Sequence, residues 1–389
     1  ADSRNAGGLI GHLSHDTQSA PFNSIDSSSA TGNITVTTGA SGAQGGGLVG
    51  RMIYGNTGAP SAVGNGSITN SYSDGDVTCS STAHLAACGG ALGWVTDYIT
   101  LSNIASGKNR SPTISASSYA TMTANGIGGL IGNITVNNDI SVSISSAKAT
   151  GAVSGTAVAN STYVGGLIGN ISGDTSQTIS ISSANSTGNV SASQGPTGGS
   201  IGIINLDAGT FTLNNVWSSG TSSATLGDAG GFIGSADFTL TTATLSKFYS
   251  TGATSGTAFV GGSFGSIYAD TNNVTINNAY ATGASAAPGS DSGGFVGHAQ
   301  VANAATITLN QAYATGAVTG ASTAGFSVSA SATTNDCYYD STTTGQGADG
   351  ATATGLLTAA MKNSASYPVS WDFATIWTIV NGVTYPTLR

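Results

Sequence analysis

The chain has 389 residues, 58 of them Gly, with a formal net charge of −9 and a pI of about 4.4. Eight Lys and Arg face 17 acids, all of them Asp, and apolar runs are only a few residues long. This excludes the basic footprint of a nucleic-acid binder and a membrane-spanning helix. With Glu absent and other strong helix formers scarce it also excludes a helical protein, while 39% apolar residues and a mean hydropathy of +0.11 argue against disorder.

From the N-terminus onward the chain repeats itself, and a repeat decides the architecture before any local propensity does. A Gly-Gly-apolar-apolar-Gly block begins at Gly7, Gly46, Gly89, Gly128, Gly165, Gly198, Gly230, Gly261 and Gly293, with a degenerate copy at Gly325. The period settles at about 32 residues, with insertions in the first half. A second block of the type Ala-Tyr-Ala-Thr-Gly ends at Gly32, Gly75, Gly151, Gly188, Gly220, Gly252, Gly283 and Gly316. The third unit departs from it, because Ser118-Tyr119-Ala120-Thr121 is followed by Met122.

Between the blocks run short alternating segments such as Ile179-Ser180-Ile181, Phe211-Thr212-Leu213 and Val274-Thr275-Ile276. Period-two alternation with Thr and β-branched residues predicts half-buried strands. Each unit therefore reads as three short strands broken by glycine turns. One such unit cannot bury its apolar face alone, but stacked units can. The expected fold is all-β: a parallel β-solenoid (β-helix) of about ten coils over residues 1–326, with a C-terminal capping segment over 327–389. The inward set would be Leu9, Ile10, Leu48, Leu130, Leu167, Ile201, Phe232, Phe264 and Phe295. Glycine would serve corners that need positive φ or close backbone approach.

The cap would hold Trp371, Trp377 and a helical turn over Leu356–Lys362, and would cover strand edges that otherwise invite aggregation. At the other end no leader segment precedes the first Gly-Gly block, so the expectation is a removed leader or a piece of a longer array, whose first coil could dock another chain.

The paired blocks resemble the GLUG-motif repeats of bacterial surface proteins, in adhesins of the filamentous-haemagglutinin type. The tail, with Asp336-Cys337-Tyr338-Tyr339-Asp340, Trp371-Asp372-Phe373 and Tyr385-Pro386-Thr387-Leu388-Arg389, resembles the segment that closes such arrays. The resemblance implies a secreted, non-catalytic β-solenoid at the cell surface, structural or adhesive, with no catalytic residues, metal or cofactor to carry over. In an exported protein Cys79 and Cys88, which flank an insertion, are expected to pair as a disulfide, leaving Cys337 for burial in the cap or for pairing with another chain.

Other chemistry is thinly represented. His12 and His15 beside Asp16 have a metal-like spacing but read by default as solvated loop residues. Asp174 and Asp207 occupy corresponding loops and could form an acidic patch, although a glycosidase needs two carboxylates across a cleft. Thr212, Thr239, Thr275 and Thr308 would align on one face, and Tyr72, Tyr119, Trp217, Tyr249, Tyr280 and Tyr313 share one phase, as a corner ladder or a sugar-binding stripe. The alternatives to an adhesive rod are thus a subunit of a self-assembling extracellular filament, a carbohydrate-binding or carbohydrate-active β-helix, and an ice-binding solenoid. Expected partners are further copies packed end to end or laterally, a surface glycan, or a cell-surface receptor.

Overall fold

A computed structural model describes residues 4–15, 24–39, 42–54, 66–81, 86–96, 99–109, 112–118, 125–136, 141–157, 162–174 and 176–389. The chain is all-β. Among the described residues it forms two large sheets, of 17 and 20 strands, whose paired strands are parallel. The one antiparallel pair, Trp377–Thr378 with Thr387–Leu388, lies apart in the C-terminal segment. Strands stack in sequence order: Val153–Ala157 pairs with Val190–Ala192, which pairs with Ser222–Ala224, which pairs with Thr254–Gly256.

Each repeat carries four strands rather than three. Residues Val153–Ala157 and Thr162–Gly165 belong to the smaller sheet, and Ile168–Gly173 and Gln177–Ser186 to the larger. The Gly-Gly-apolar-apolar-Gly block is therefore split, with its corner at the second Gly and the apolar residue that follows. In later repeats the two strands of the larger sheet fuse, as in Ile201–Ser218 and Ile233–Ser250.

The core divides into two lobes. The larger sheet encloses one built on Ile, Leu and Phe, with Phe232, Phe264 and Phe295 completely buried. The smaller sheet encloses another, built on Val36, Val77, Ile114, Val153, Val190 and the two cysteines Cys79 and Cys88. Burying each such aliphatic or aromatic side chain contributes roughly 1.5–3 kcal/mol. Leu9 departs from the expected inward set: it is 44% exposed, its backbone N–H bonded to Leu48 O on one side.

Between the lobes lies a waist made of glycine. A Cβ on Gly128 would stand 1.8 Å from the Ile131 carbonyl oxygen, and one on Gly166 would stand 2.0 Å from the Gly199 oxygen. These glycines satisfy close approach, not positive φ. The positive-φ corner is elsewhere, and it is not built from glycine. Ser27, Asn70, Asn103, Ser146, Ser183, Asn215, Lys247, Asn278, Gln311 and Asp336 all have φ between 49° and 56°. Asn, Asp and Ser tolerate this conformation better than most side chains because they bond locally.

The parallel ladder continues past residue 326. Ala332–Asn335 and Tyr338–Asp340 pair with Ile307–Ala314, and Thr354–Leu356 pairs with Tyr338–Asp340. The expected helical turn is present as Thr358–Met361. The remainder of the tail turns back along the flank of the stack, where the Trp377 indole donates to Asn278 Oδ1 at 3.1 Å.

Candidate functional site

The positive-φ column divides the outside of the larger sheet into two faces. On the side before it, alternate residues of the strands point outward and stand in register. One column reads Ser24, Ser67, Thr100, Ser143, Ser180, Thr212, Thr244, Thr275, Thr308, Thr333. Thr239, expected in this column, is not part of it; the strand Ile233–Ser250 is long enough that Thr244 takes the place. The next column reads Thr69, Ser102, Ser145, Ser182, Asn214, Ser246, Asn277, Asn310, Asn335, with Asp26 at one end. A third runs through Ser141, Thr178, Thr210 and Thr242. Asn310 and Asn335 each donate an amide hydrogen to the Oδ1 of the residue one layer below, both at 2.9 Å, which fixes the side chains of this face.

On the other side of the corner is a column at the phase of Tyr in Ala-Tyr-Ala-Thr-Gly. It runs Tyr72, Ala105, Lys148, Asn185, Trp217, Tyr249, Tyr280, Tyr313, Tyr338. Trp217 stacks on Tyr249 with centroids 5.7 Å apart, Tyr249 on Tyr280 at 4.7 Å and Tyr280 on Tyr313 at 5.2 Å. The C-terminal segment covers the far end of this ladder. Trp371, Trp377 and Tyr367 pack against Tyr280, Tyr313 and Tyr338, and Tyr313 Oη donates to Pro386 O at 2.6 Å. Burial there raises the Tyr313 phenol well above its ordinary range. Burial also pushes up Tyr385, to about 12, helped by its bond to the Asp340 carboxylate at 2.6 Å.

The same register relocates the second block of the third unit. Ile104-Ala105-Ser106 pairs with Ser71-Tyr72-Ser73, so the block lies at Ile104–Ser106 and not at Ser118–Thr121, with Gly107 at the place of Asp74. Tyr119 and Met122 lie outside the described residues. Where Ala105, Lys148 and Asn185 replace the rings, the column opens into a groove of about 320 Å³, walled by Asn70, Tyr72, Asn103, Lys108, Lys148 and Asn185. Lys148 and Asn185 have a signal in the sequence: they occupy the Tyr position of their own blocks, Ala-Lys-Ala-Thr-Gly and Ala-Asn-Ser-Thr-Gly.

A separate polar cluster lies against the first block. Asp228 accepts from Ser266 Oγ at 2.6 Å and from the Phe259 N–H at 3.2 Å, and Ser266 also bonds Ser235. His298 pairs with Ser266 and stacks on the Phe259 ring at 4.2 Å. Burial raises the Asp228 carboxyl, against the hydrogen bonds and the nearby His298. Ser266 thus donates to a carboxylate, an arrangement that orients it as part of a hydrogen-bonded column.

Cys79 and Cys88 are joined by a disulfide inside the smaller lobe, and Cys337 is buried with its thiol pushed up to about 12 by burial. His12 is exposed beside Arg51. The His15 side chain and Asp16 lie outside the described residues, among which no group of three metal-ligating side chains occurs. Asp174 follows Gly173, which pairs with Leu206 next to Asp207. Burial raises the Asp237 carboxyl, and the charges of its acidic neighbours Asp207 and Asp270 raise it further. Comparison with protein-family models finds no match, and comparison with curated proteins and solved structures finds none either.

Proposed function

We propose that the chain is a β-solenoid of about ten coils, closed by its C-terminal segment, that serves as a non-catalytic structural or adhesive rod on a bacterial cell surface. The observation that carries this reading is the in-register column from Ser24 to Thr333, one hydroxyl per repeat. At the spacing of paired strands ten such layers make a column of roughly 50 Å. The GLUG-type pairing of the two blocks supports placement outside the cell, as does a disulfide in the core. None of the described residues forms a helix long and apolar enough to cross a membrane.

A rod of this kind acts by geometry: a stiff stack of backbone hydrogen bonds holds its outer faces at fixed spacing. A glycan array combined with a reducing-sugar assay tests it. The adhesive reading expects retention of some glycans without release of reducing ends. Release of reducing ends would replace it with an enzymatic one.

A second reading has its own support. The three outward columns of Ser, Thr and Asn make a flat face without charge apart from Asp26 at its edge, which suits the ordering of water and binding to ice. Thermal hysteresis of the purified chain, lost on Thr275→Tyr, is its expected signature; no hysteresis removes it.

A further inference from the structure

Only eight cations offset 17 acids in this chain, and four of the cations are lysines. Although 254 positions separate the first from the last, all four lie along one face. Lys148 stands in the aromatic column, between Ala105 and Asn185. The Lys108 ammonium lies 4.6 Å from the centroid of the Tyr72 ring. Lys247 occupies the positive-φ corner two residues before Tyr249. Lys362 lies 5.1 Å from the ring of Tyr385, which in turn stacks on Tyr313 at 6.2 Å. From Thr69–Tyr72 to Asn277–Tyr280 the corner and its flanking columns contain no acid. Asp74, the carboxylate closest in sequence to Tyr72, is buried and taken up by Asn109.

The groove sits within this basic stretch. Its floor is small, at Ala105 and Ala147, and its walls offer amides, hydroxyls and two ammonium groups. Trp217 closes the ring ladder on one side of the gap and Tyr72 stands on the other. Amides supply both donors and acceptors, as a polyhydroxylated chain requires, and exposed ammonium groups select anions over neutral sugars. The stacked rings turn their faces to one another, so the ladder offers few free faces for nucleic-acid bases to stack on.

We infer that this groove binds an acidic polysaccharide, a strand of uronic-acid residues lying along the stacking direction with its carboxylates on Lys108 and Lys148. The inference rests on the adhesive reading and gives that reading a ligand class. Its test uses the full chain and an oligogalacturonate hexamer in isothermal titration calorimetry, with a neutral cello-oligosaccharide, a single-stranded oligonucleotide and polyglutamate as comparisons. The expected result is binding of the uronate that weakens with salt. Lys108→Gln and Lys148→Gln should each weaken it about tenfold, while Lys247→Gln, outside the groove, should change it little. Circular dichroism should be unaltered in all three variants. Equal binding of polyglutamate or the oligonucleotide would overturn the assignment as mere cation display. Binding of the neutral sugar, insensitive to both lysines, would overturn it while leaving the adhesive reading in place. No binding to the uronate, with retention of other ligands on the array, would overturn it alone; silence towards every ligand would remove the adhesive reading as well.

Discussion

The Ser218 hydroxyl donates to the carbonyl oxygen of Gly231 at 2.5 Å. Ser186 does the same to Gly199, and Ser250 to Gly262, both at 2.6 Å. In this way the two sequence blocks of the repeat are locked in phase: the residue two before the glycine of the second block packs on the second glycine of the first. Where the partner is Ala instead, as at Ala149, Ala281 and Ala314, its Cβ lies 3.0 Å from the Cβ that Gly129, Gly262 or Gly294 would carry. Through the layers up to Ala314 this position holds Ser or Ala; in the last layer it is Tyr339, whose ring lies against Gly325.

Two substitutions at this contact should therefore differ sharply. Ser218→Ala removes one hydrogen bond at a position where other repeats already carry Ala, and should cost about 1 kcal/mol. Gly231→Ala places a Cβ 2.1 Å from the Gly262 oxygen, backbone that cannot yield without moving a layer. It should cost well over 3 kcal/mol. Urea unfolding of the two variants side by side measures the difference.

Reduction of the Cys79–Cys88 bond should loosen the early repeats. The sulfurs sit in the smaller lobe, where both residues are fully buried. For so short a loop the loss is about 2–3 kcal/mol. The expected readout is faster amide exchange in Val77–Ser81 and Ala86–Gly89 on Cys79→Ser/Cys88→Ser, with the repeats beyond Ile201 unchanged.

Two carboxyls, one buried and one half-buried, should respond to pH in opposite senses. Burial opposes ionisation of Asp340, but bonds from Tyr385 and from the Thr342 and Thr343 N–H groups outweigh it and hold its carboxyl below the ordinary value of 3.8. Its stabilising contribution is present above 3.8 and is lost as pH falls through the lower folded value. Asp340→Asn should cost about 1–3 kcal/mol at pH 7 and nothing at strongly acid pH. The Asp228 carboxyl is raised above 3.8, chiefly by burial. Its contribution is present below 3.8 and is lost as pH rises through its folded value. Asp228→Asn should therefore be neutral or stabilising at pH 7. Amide exchange near each site, followed from pH 2 to 7, separates the two.

The C-terminal segment should detach before the stack does. Trp377 is fully buried and anchors the segment to Asn278, two layers inward from Tyr338. Trp377→Ala should cost about 3–5 kcal/mol. Limited proteolysis should then remove residues beyond about 357 while the remainder stays folded, newly exposing the rings of Tyr280 and Tyr313.

Much of this arrangement was legible in the residue order because the repeat is so regular. Phe232, Phe264 and Phe295 fall where the first block places them, and alternation gave the outward Thr212, Thr275 and Thr308. Counting failed where loop lengths vary. Spacing alone points to Thr239 where the register has Thr244, and it hides the block at Ile104–Ser106, which follows its Gly-Gly after an unusually short segment. Glycine meets the expectation of close backbone approach at the corner of the Gly-Gly block, while the recurring positive-φ corner of the larger sheet falls to Asn, Ser and even Lys247. The lysine face could not be read linearly at all: only the register brings Lys108, Lys148 and Lys247 to one side, and only the return of the tail adds Lys362.

Everything depends on equivalent residues of successive repeats standing in one column. Pulsed dipolar spectroscopy between nitroxides at Thr308 and, in turn, Ser180, Ser143 and Ser67 tests this most directly. Those sites lie four, five and seven pairings away along the column. Stacked repeats should give distances that grow by about 4.8 Å per pairing, to roughly 19, 24 and 34 Å. Distances that do not scale with the number of intervening repeats, or that grow by the width of a separately folded bead, would contradict the stacking.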